Sequence, residues 1–121
     1  MKYKAITVYG IPNCDTVKKA RTWLTDHGFE YVFHDFKKQG LPEIHLVAWL
    51  QSAGWEVVVN RKGTSWRKLS PSEQANVVSG ASARPYLLAN PSLIKRPVIE
   101  WLSDKGTEIT VGYQPDQWLA R

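Results

Sequence analysis

The distribution of apolar residues predicts a strand, a helix and a second strand in the amino-terminal part of the chain. Residues 3–9 are rich in β-branched and aromatic side chains, and residues 29–36 are apolar again. Between them, residues 14–27 carry apolar side chains at helical spacing, namely Val17, Ala20 and Leu24. Because strands in such a unit are parallel and joined in a right-handed sense, both end at one edge of the sheet. We therefore expect His34 and Asp35 at the edge that carries residue 14.

The middle of the chain, residues 41–92, predicts a helical insertion. A first helix begins at Pro42, a second begins at Ser70 with the sequence of a capping box, and we expect the second to end at Gly80. A third helix extends from residue 82 or 84 to residue 89. In the first helix, the side chains expected to face inward are Ile44, Val47, Trp49 and Leu50.

The last part of the chain predicts a hairpin followed by a helix. Residues 98–102 and 107–112 form strands three and four, and the short turn between them makes the pair antiparallel. A final helix covers residues 115–121 and is expected to bury Trp118 and Leu119. The order of elements is therefore β-α-β, helices, β-β-α.

Length and composition indicate one globular domain over residues 1–121. The chain is 43% hydrophobic and 22% charged, which is ordinary for a protein with its own hydrophobic core. A single cysteine excludes an internal disulfide and a cysteine-rich zinc site, and it favours a reducing compartment. No stretch is long and apolar enough to cross a membrane, so we expect a cytoplasmic protein with no membrane partner.

The charge pattern favours a small anionic ligand. The net charge is +5, but the basic residues form small separate groups, and only Trp66-Arg67-Lys68 interleaves an aromatic side chain with cations. Nucleic-acid-binding surfaces are denser in cations, so we expect no nucleic-acid partner. The three histidines show no ligand-like spacing with Cys14, and no metal site is expected.

The only cysteine, Cys14, is the main candidate for chemistry. It is expected on the first turn of helix one, where backbone N–H groups and the helix dipole favour the reactive thiolate. Lys18, four residues later on the same helical face, adds a positive charge, whereas Asp15 opposes it. Thr16 offers a hydroxyl hydrogen bond. The alternative is a buried structural cysteine, which is the commoner role of a single cysteine.

Four segments resemble one protein family. They are residues 9–21 (YGIPNCDTVKKAR), 34–40 (HDFKKQG), 60–69 (NRKGTSWRKL) and 94–97 (IKRP). With the element order and the X-Pro step before strand three, they resemble the thioredoxin fold and, more narrowly, the arsenate reductase-like (ArsC/Spx) family and its YffB-type branch. The resemblance implies an α/β fold: a thioredoxin-like four-stranded mixed sheet with a helical insertion between strands two and three. It also implies that Pro97 is a cis-proline.

The resemblance also implies site residues. The nucleophilic cysteine of the family corresponds to Cys14, and two of its oxyanion-binding arginines correspond to Arg61 and Arg96. The third arginine falls near Gln114, and a histidine that often precedes the cysteine by four residues is replaced by Gly10. Because glutamine lacks the bidentate cationic contact of arginine, these departures argue against arsenate reduction.

We predict a glutathione-dependent thiol–disulfide reductase. Val17 stands where regulatory members of the family have a second cysteine, so Cys14 needs an external thiol to release a mixed disulfide. Glutathione is the expected co-substrate, no cofactor is bound, and the partner is an unidentified disulfide, sulfenate or anionic substrate. The expected catalytic residues are Cys14, Lys18 and Arg96. The expected substrate- or glutathione-binding residues are Asn13, Thr16, Arg61, Arg96 and Pro97.

Two other functions stay open at this point. One is an arsenate reductase-like oxyanion reductase with weakened affinity, and the other is a non-enzymatic protein-binding module of the Spx type. Each assisting residue also has a structural alternative. Lys18 and Arg61 can be solvated surface cations, Arg96 can be structural, and His34 can be a hydrogen-bonded rim residue.

Overall fold

The computed structural model describes residues 3–120, and these form two compact units. The first unit covers residues 3–40 and 96–120, and the second covers Leu41–Lys95. The second unit corresponds closely to the insertion predicted over residues 41–92. That the whole chain is one domain stays a prediction.

The elements follow the predicted order. In chain order they are β1 (Ala5–Gly10), α1 (Asp15–Asp26), β2 (Val32–Asp35), α2 (Phe36–Gln39), α3 (Glu43–Ala53), α4 (Trp55–Val58), α5 (Thr64–Arg67), α6 (Pro71–Asn76), α7 (Gly80–Ala89), β3 (Val98–Ser103), β4 (Gly106–Val111) and α8 (Pro115–Leu119). A 3-10 turn, Pro91–Leu93, precedes β3. No helix in the described part of the chain is long and apolar enough to cross a membrane.

The first unit is built on a four-stranded mixed sheet with the order β2-β1-β3-β4. β1 pairs with β2 in parallel and with β3 antiparallel, and β3 and β4 form the antiparallel hairpin. Both predicted pairings are therefore confirmed. β1 lies between β2 and β3, and its Ile6, Val8 and Tyr9 side chains are buried, as expected of a strand inside a sheet.

Aromatic and aliphatic side chains form the core of the first unit. The buried cluster comprises Tyr3, Ile6, Val8, Ala20, Leu24, Ile99, Trp101 and Trp118. One polar pair lies within the buried region: the indole Nε1 of Trp101 donates a 2.9 Å hydrogen bond to Oγ1 of Thr110. This bond satisfies a donor that would otherwise be costly to bury.

The second unit consists of short helices. Its buried side chains include Leu46, Trp49, Leu50, Val58, Ala83, Leu87 and Ile94. Capping boxes formed by Ser70 with Glu73 and by Ser79 with Ser82 start α6 and α7. A single antiparallel bridge joins Val59 to Ile94.

Several predicted boundaries and burial assignments were wrong. The apolar segment predicted as strand two over residues 29–36 is strand only at Val32–Asp35. It ends there because Asp35 accepts a 2.8 Å hydrogen bond from the amide of Lys37 and thereby caps α2. The helix expected to reach Gly80 ends at Asn76, and Gly80 instead begins the next helix behind the Ser79 cap.

Two side chains predicted to be buried are exposed. In α3, Trp49 and Leu50 are buried as predicted, but Ile44 is 84% exposed and Leu46 is fully buried in its place. Leu119 is 62% exposed because the single turn of α8 buries only Trp118.

Candidate active site

Cys14 is the N-cap residue of α1 and not part of its first turn. Its backbone is extended (φ −140°, ψ 121°), its carbonyl accepts a 2.9 Å hydrogen bond from the amide of Lys18, and its side chain makes no capping hydrogen bond. The thiol is free and partly exposed. At this position the amides of the first helical turn have no partner within the helix, so they and the helix dipole favour an anionic sulfur. Cys14 is therefore not fully buried, and its role as the nucleophile stays a prediction.

Gly10, which precedes Cys14 in the chain, packs against Val17, which follows it. A Cβ atom at Gly10 would lie 2.8 Å from Cγ2 of Val17, which is too short for two carbon atoms. Val17 is fully buried, and the φ of Gly10 is not positive, so this glycine is required by space and not by backbone conformation. The two positions that depart from the family pattern near the cysteine are thus in direct contact.

The sheet brings Arg96 and Pro97 to the edge that carries Cys14. β1 ends at Gly10, four residues before the cysteine, and Tyr9 pairs with Val98, the first residue of β3. The Arg96–Pro97 peptide bond is cis, and the carbonyl of Pro97 accepts a 2.8 Å hydrogen bond from the amide of Gly112. Pro97 is buried and Arg96 is half-buried. Cys14, Arg96 and the cis-proline Pro97 therefore lie at the same edge of the sheet.

Asn13 and Thr16 flank the cysteine at the same edge. Asn13 is exposed in the turn before α1, and Thr16 is half-buried in the first turn of the helix. Lys18 is exposed one turn further along α1. Their predicted roles in binding and catalysis stay predictions.

The side chain of Gln114, near the position of the missing arginine, forms a hydrogen bond to the nearby backbone. Its Nε2 donates a 2.8 Å hydrogen bond to the carbonyl of Val111, and Gln114 is the N-cap residue of α8. The amide thus helps to shape the turn after β4. This local bond gives the glutamine a structural role.

The two residues predicted at the end of β2 lie at the same edge and are hydrogen-bonded. His34 and Asp35 pair with Tyr9 and Gly10 of β1. The Nε2 of His34 donates to the carbonyl of Gly40 at 2.8 Å, and the His34 ring lies 4.9 Å from the Tyr9 ring. Because its ring nitrogen is used in this way, His34 has the geometry of a rim residue.

Sequence reasoning missed a buried tyrosine near this edge. The hydroxyl of Tyr9 donates a 3.1 Å hydrogen bond to Oε1 of Glu100. Burial, followed by the charge of Glu100 and the hydrogen bond to it, raises the pKa of Tyr9 above its ordinary value of 10.0. No local pattern identifies this contact, because Glu100 lies on β3 and comes close to Tyr9 only through the pairing of β1 with β3.

Arg61 belongs to the second unit and lies in a basic turn that is held by hydrogen bonds. Its guanidinium Cζ lies 5.3 Å from the centroid of the Trp55 ring. The amide of Lys62 donates to Oδ1 of Asn60, and Nη2 of Arg67 donates a 2.8 Å hydrogen bond to the carbonyl of Lys62. Arg61 and Lys62 line a cavity of about 240 Å³ together with Glu56, Val57, Val59, Asn60 and Lys95.

The described residues contain no group of three or more His, Cys, Asp or Glu side chains that could hold a metal ion.

Comparison with known proteins then places the chain among its relatives. The sequence profile of the ArsC family matches residues 9–121. The chain belongs to the ArsC family.

Relatives within the ArsC family cover most of the chain. An uncharacterised protein of Haemophilus influenzae is 47% identical over 94 residues, which is 78% of this chain and 82% of that protein. The global transcriptional regulator Spx of Bacillus subtilis is 28% identical over 93% of this chain and 82% of its own length.

Solved structures of the ArsC family share the fold. A YFFB protein is 44% identical, with a TM-score of 0.86 over 96% of this chain and 97% of its own. An arsenate reductase (ArsC) related protein from Brucella melitensis is 49% identical, with a TM-score of 0.72 over 96% of this chain and 92% of its own. The four-stranded mixed sheet is therefore the thioredoxin-like sheet of this ArsC-family group, as the resemblance implied.

Proposed function

We propose that this ArsC-family protein is a thiol-based reductase that uses Cys14 as its nucleophile and glutathione as its reductant. The observation that carries the proposal is the position of the sulfur: Cys14 caps α1, is partly exposed, and shares a sheet edge with Arg96 and the cis-proline. Backbone N–H groups and the dipole at a helix amino terminus stabilise negative charge, and the thiolate is the nucleophilic form of cysteine.

The proposed reaction has two thiol–disulfide exchanges. In the first, the Cys14 thiolate attacks the glutathionyl sulfur of a mixed disulfide R–S–S–G. The old S–S bond breaks, Cys14–S–S–G forms, and R–S⁻ leaves and takes up a proton. In the second, the thiolate of another glutathione attacks the glutathionyl sulfur and leaves oxidised glutathione and free Cys14. The sum is RSSG + GSH giving RSH + GSSG: the substrate sulfur keeps the electron pair of the broken S–S bond and is reduced to the thiol, and the sulfur of the incoming glutathione is oxidised to the disulfide level.

The other residues would assist these exchanges. Arg96 and Lys18 would stabilise the Cys14 thiolate, and Asn13 and Thr16 would contact the substrate beside it. The backbone at Pro97 would pair with the peptide part of glutathione. Arg61, in the second unit, would bind a carboxylate of glutathione or of an anionic substrate.

The test is turnover of a glutathionylated peptide with glutathione, coupled to NADPH oxidation by glutathione reductase. We expect at least a hundredfold lower kcat/KM for Cys14→Ser, because the hydroxyl is a poor nucleophile. Thr25→Ser, on an exposed position of the same helix, is the matched control and should retain activity. Intact mass spectrometry should show one glutathionyl group on the native chain and none on Cys14→Ser. Retained turnover in Cys14→Ser would refute the proposal.

A protein-binding module is the second candidate because Spx aligns over most of this chain. That role does not require a reactive sulfur, so native protein that forms no glutathionyl adduct and turns over no disulfide would favour it. Arsenate reduction is the third outcome of the same assay. Glutathione oxidation that depends on arsenate and on Cys14 would favour an oxyanion reductase, despite Gln114 at the position of the third arginine.

A further inference from the structure

An open groove runs along the exposed face of α1 and leads away from Cys14. Its cavity volume is about 550 Å³. The residues that line it are Lys18, Lys19, Thr22, Trp23 and Asp26 from α1, and Tyr113 from the segment between β4 and α8. We call this the α1 groove.

The aromatic wall of the α1 groove is fixed by packing. The Trp23 ring meets the buried Trp118 ring edge-on, with 5.2 Å between the ring centroids. It also stacks on the His27 ring, with 3.9 Å between the centroids. The Tyr113 ring also meets Trp118 edge-on, with 5.4 Å between the ring centroids. Because Trp118 belongs to the core cluster, it holds both wall residues in place. The groove therefore exists before anything binds to it.

The charges of the α1 groove are ordered along the helix. Lys18 and Lys19 lie at the end near Cys14, and Asp26 lies at the far end. Within residues 3–120, neither lysine takes part in an ion pair. The groove thus presents cations, then an aromatic surface, then an acid, as the distance from the sulfur increases.

The length of the α1 groove fits a short extended peptide. From Lys18 to Asp26, a rise of about 1.5 Å per residue gives roughly 12 Å along the helix axis. An extended chain advances about 3.3–3.6 Å per residue, so three or four residues fit that length. Lys18 follows Cys14 by one helical turn, and its amide donates to the Cys14 carbonyl. In the proposed exchange, the cysteine of a glutathionylated polypeptide leaves from the glutathionyl sulfur that Cys14 attacks. The residues that flank this leaving cysteine therefore lie within reach of the groove end lined by Lys18 and Lys19.

We propose that the α1 groove binds the acidic segment that flanks the reacting cysteine of a polypeptide substrate. Acidic side chains next to that cysteine meet Lys18 and Lys19, and an aromatic or apolar side chain beyond them packs on Trp23 and Tyr113. This inference rests on the proposed thiol exchange at Cys14, and it assigns the substrate class: glutathionylated proteins with acidic surroundings, in preference to small disulfides.

The test compares two glutathionylated peptides that differ only in the residues flanking the cysteine, glutamates in one and lysines in the other. For the native chain we expect kcat/KM to be at least tenfold higher for the acidic peptide at low salt, with the preference falling as salt rises. Lys19→Glu should lower this ratio at least tenfold. Lys105→Glu, in the turn between β3 and β4, makes the same change in net charge and should leave the ratio unaltered.

A binding measurement separates failure of this inference from failure of the proposed reaction. Titration of both peptides into Cys14→Ser, followed by calorimetry, reports the groove without any turnover. Preferential binding of the acidic peptide that Lys19→Glu removes and Lys105→Glu retains supports the groove assignment, even if no reaction is observed. Equal affinities, or equal effects of the two lysine substitutions, would overturn it.

Discussion

The contact between Gly10 and Val17 can be tested by substituting each residue alone and both together. In Gly10→Ala, the new methyl group would lie 2.8 Å from Cγ2 and 3.5 Å from Cγ1 of Val17, against an optimum of about 3.5–4.0 Å. Overpacking of this kind costs about 1–3 kcal/mol, partly offset by roughly 0.5–1 kcal/mol from replacing a flexible glycine. We expect Gly10→Ala to lower the free energy of unfolding by about 1–2 kcal/mol.

Val17→Ala removes two methyl groups from a side chain with no solvent exposure. At about 0.8 kcal/mol for each buried group, with a further cost for the cavity, the loss should be about 2–3 kcal/mol. In the double variant, the methyl group added at position 10 occupies part of that cavity. The free energy of unfolding should therefore exceed the additive expectation by about 1–2 kcal/mol.

The assay is urea denaturation of all four proteins, followed by tryptophan fluorescence and circular dichroism. Gly28→Ala is the control, because Gly28 has φ +78° with no atom within 4 Å of a Cβ position. Its cost comes from backbone conformation, so it should be the same in the native background and in the Val17→Ala background. Additivity of the Gly10 and Val17 effects within about 0.5 kcal/mol would refute the steric argument.

Three further predictions concern stability. Tyr9→Phe should remove a loss of stability above pH 10, because the raised pKa keeps the folded tyrosine neutral while the unfolded one ionises. In the native chain, that loss approaches about 1.4 kcal/mol per pH unit. If the free energy of unfolding from urea titrations fell equally steeply with pH in the native chain and in Tyr9→Phe between about pH 8 and 11, the prediction would be contradicted. Thr110→Val leaves the buried indole N–H of Trp101 without its acceptor and should cost about 1–3 kcal/mol, whereas Thr110→Ser should keep the bond; a similar loss in both variants on urea denaturation would exclude this cause. Leu46→Ala should lower the free energy of unfolding by about 2–5 kcal/mol and Ile44→Ala by less than about 0.5 kcal/mol, and the reverse ranking would show that α3 buries its other face.

The sheet was predictable because its strands carry strong local signals. The β-branched segments predicted where the strands lie in the chain, and the short turn predicted the hairpin of β3 and β4. The parallel pairing of β1 and β2 predicted that Cys14 lies at the sheet edge where both strands end. The pairing of β1 with β3 brings Arg96 and Pro97 there, and this long-range contact entered the sequence argument only through resemblance. Packing across distant segments also determines the Gly10–Val17 contact and the Tyr9–Glu100 hydrogen bond, which no local pattern contains.

The errors lie where local patterns are ambiguous. In α3, apolar residues lie on most sides of the helix, so spacing did not distinguish the face of Ile44 from the face of Leu46. The start of α7 was missed because its capping box uses Ser82, where glutamate or glutamine is the usual partner of the capping serine. The groove beside α1 was not predicted either, because Tyr113 reaches it from a segment far along the chain.

The pairing of β1 with β3 has a consequence for how the protein is made. Ala5 pairs with Leu102, so the central strand leaves the ribosome long before its antiparallel neighbour has been synthesised. At roughly 5–20 residues per second, the delay is about 5–20 s. During that interval Cys14 is part of the nascent chain, but Arg96 and Pro97, which share its sheet edge in the folded protein, have not yet been synthesised.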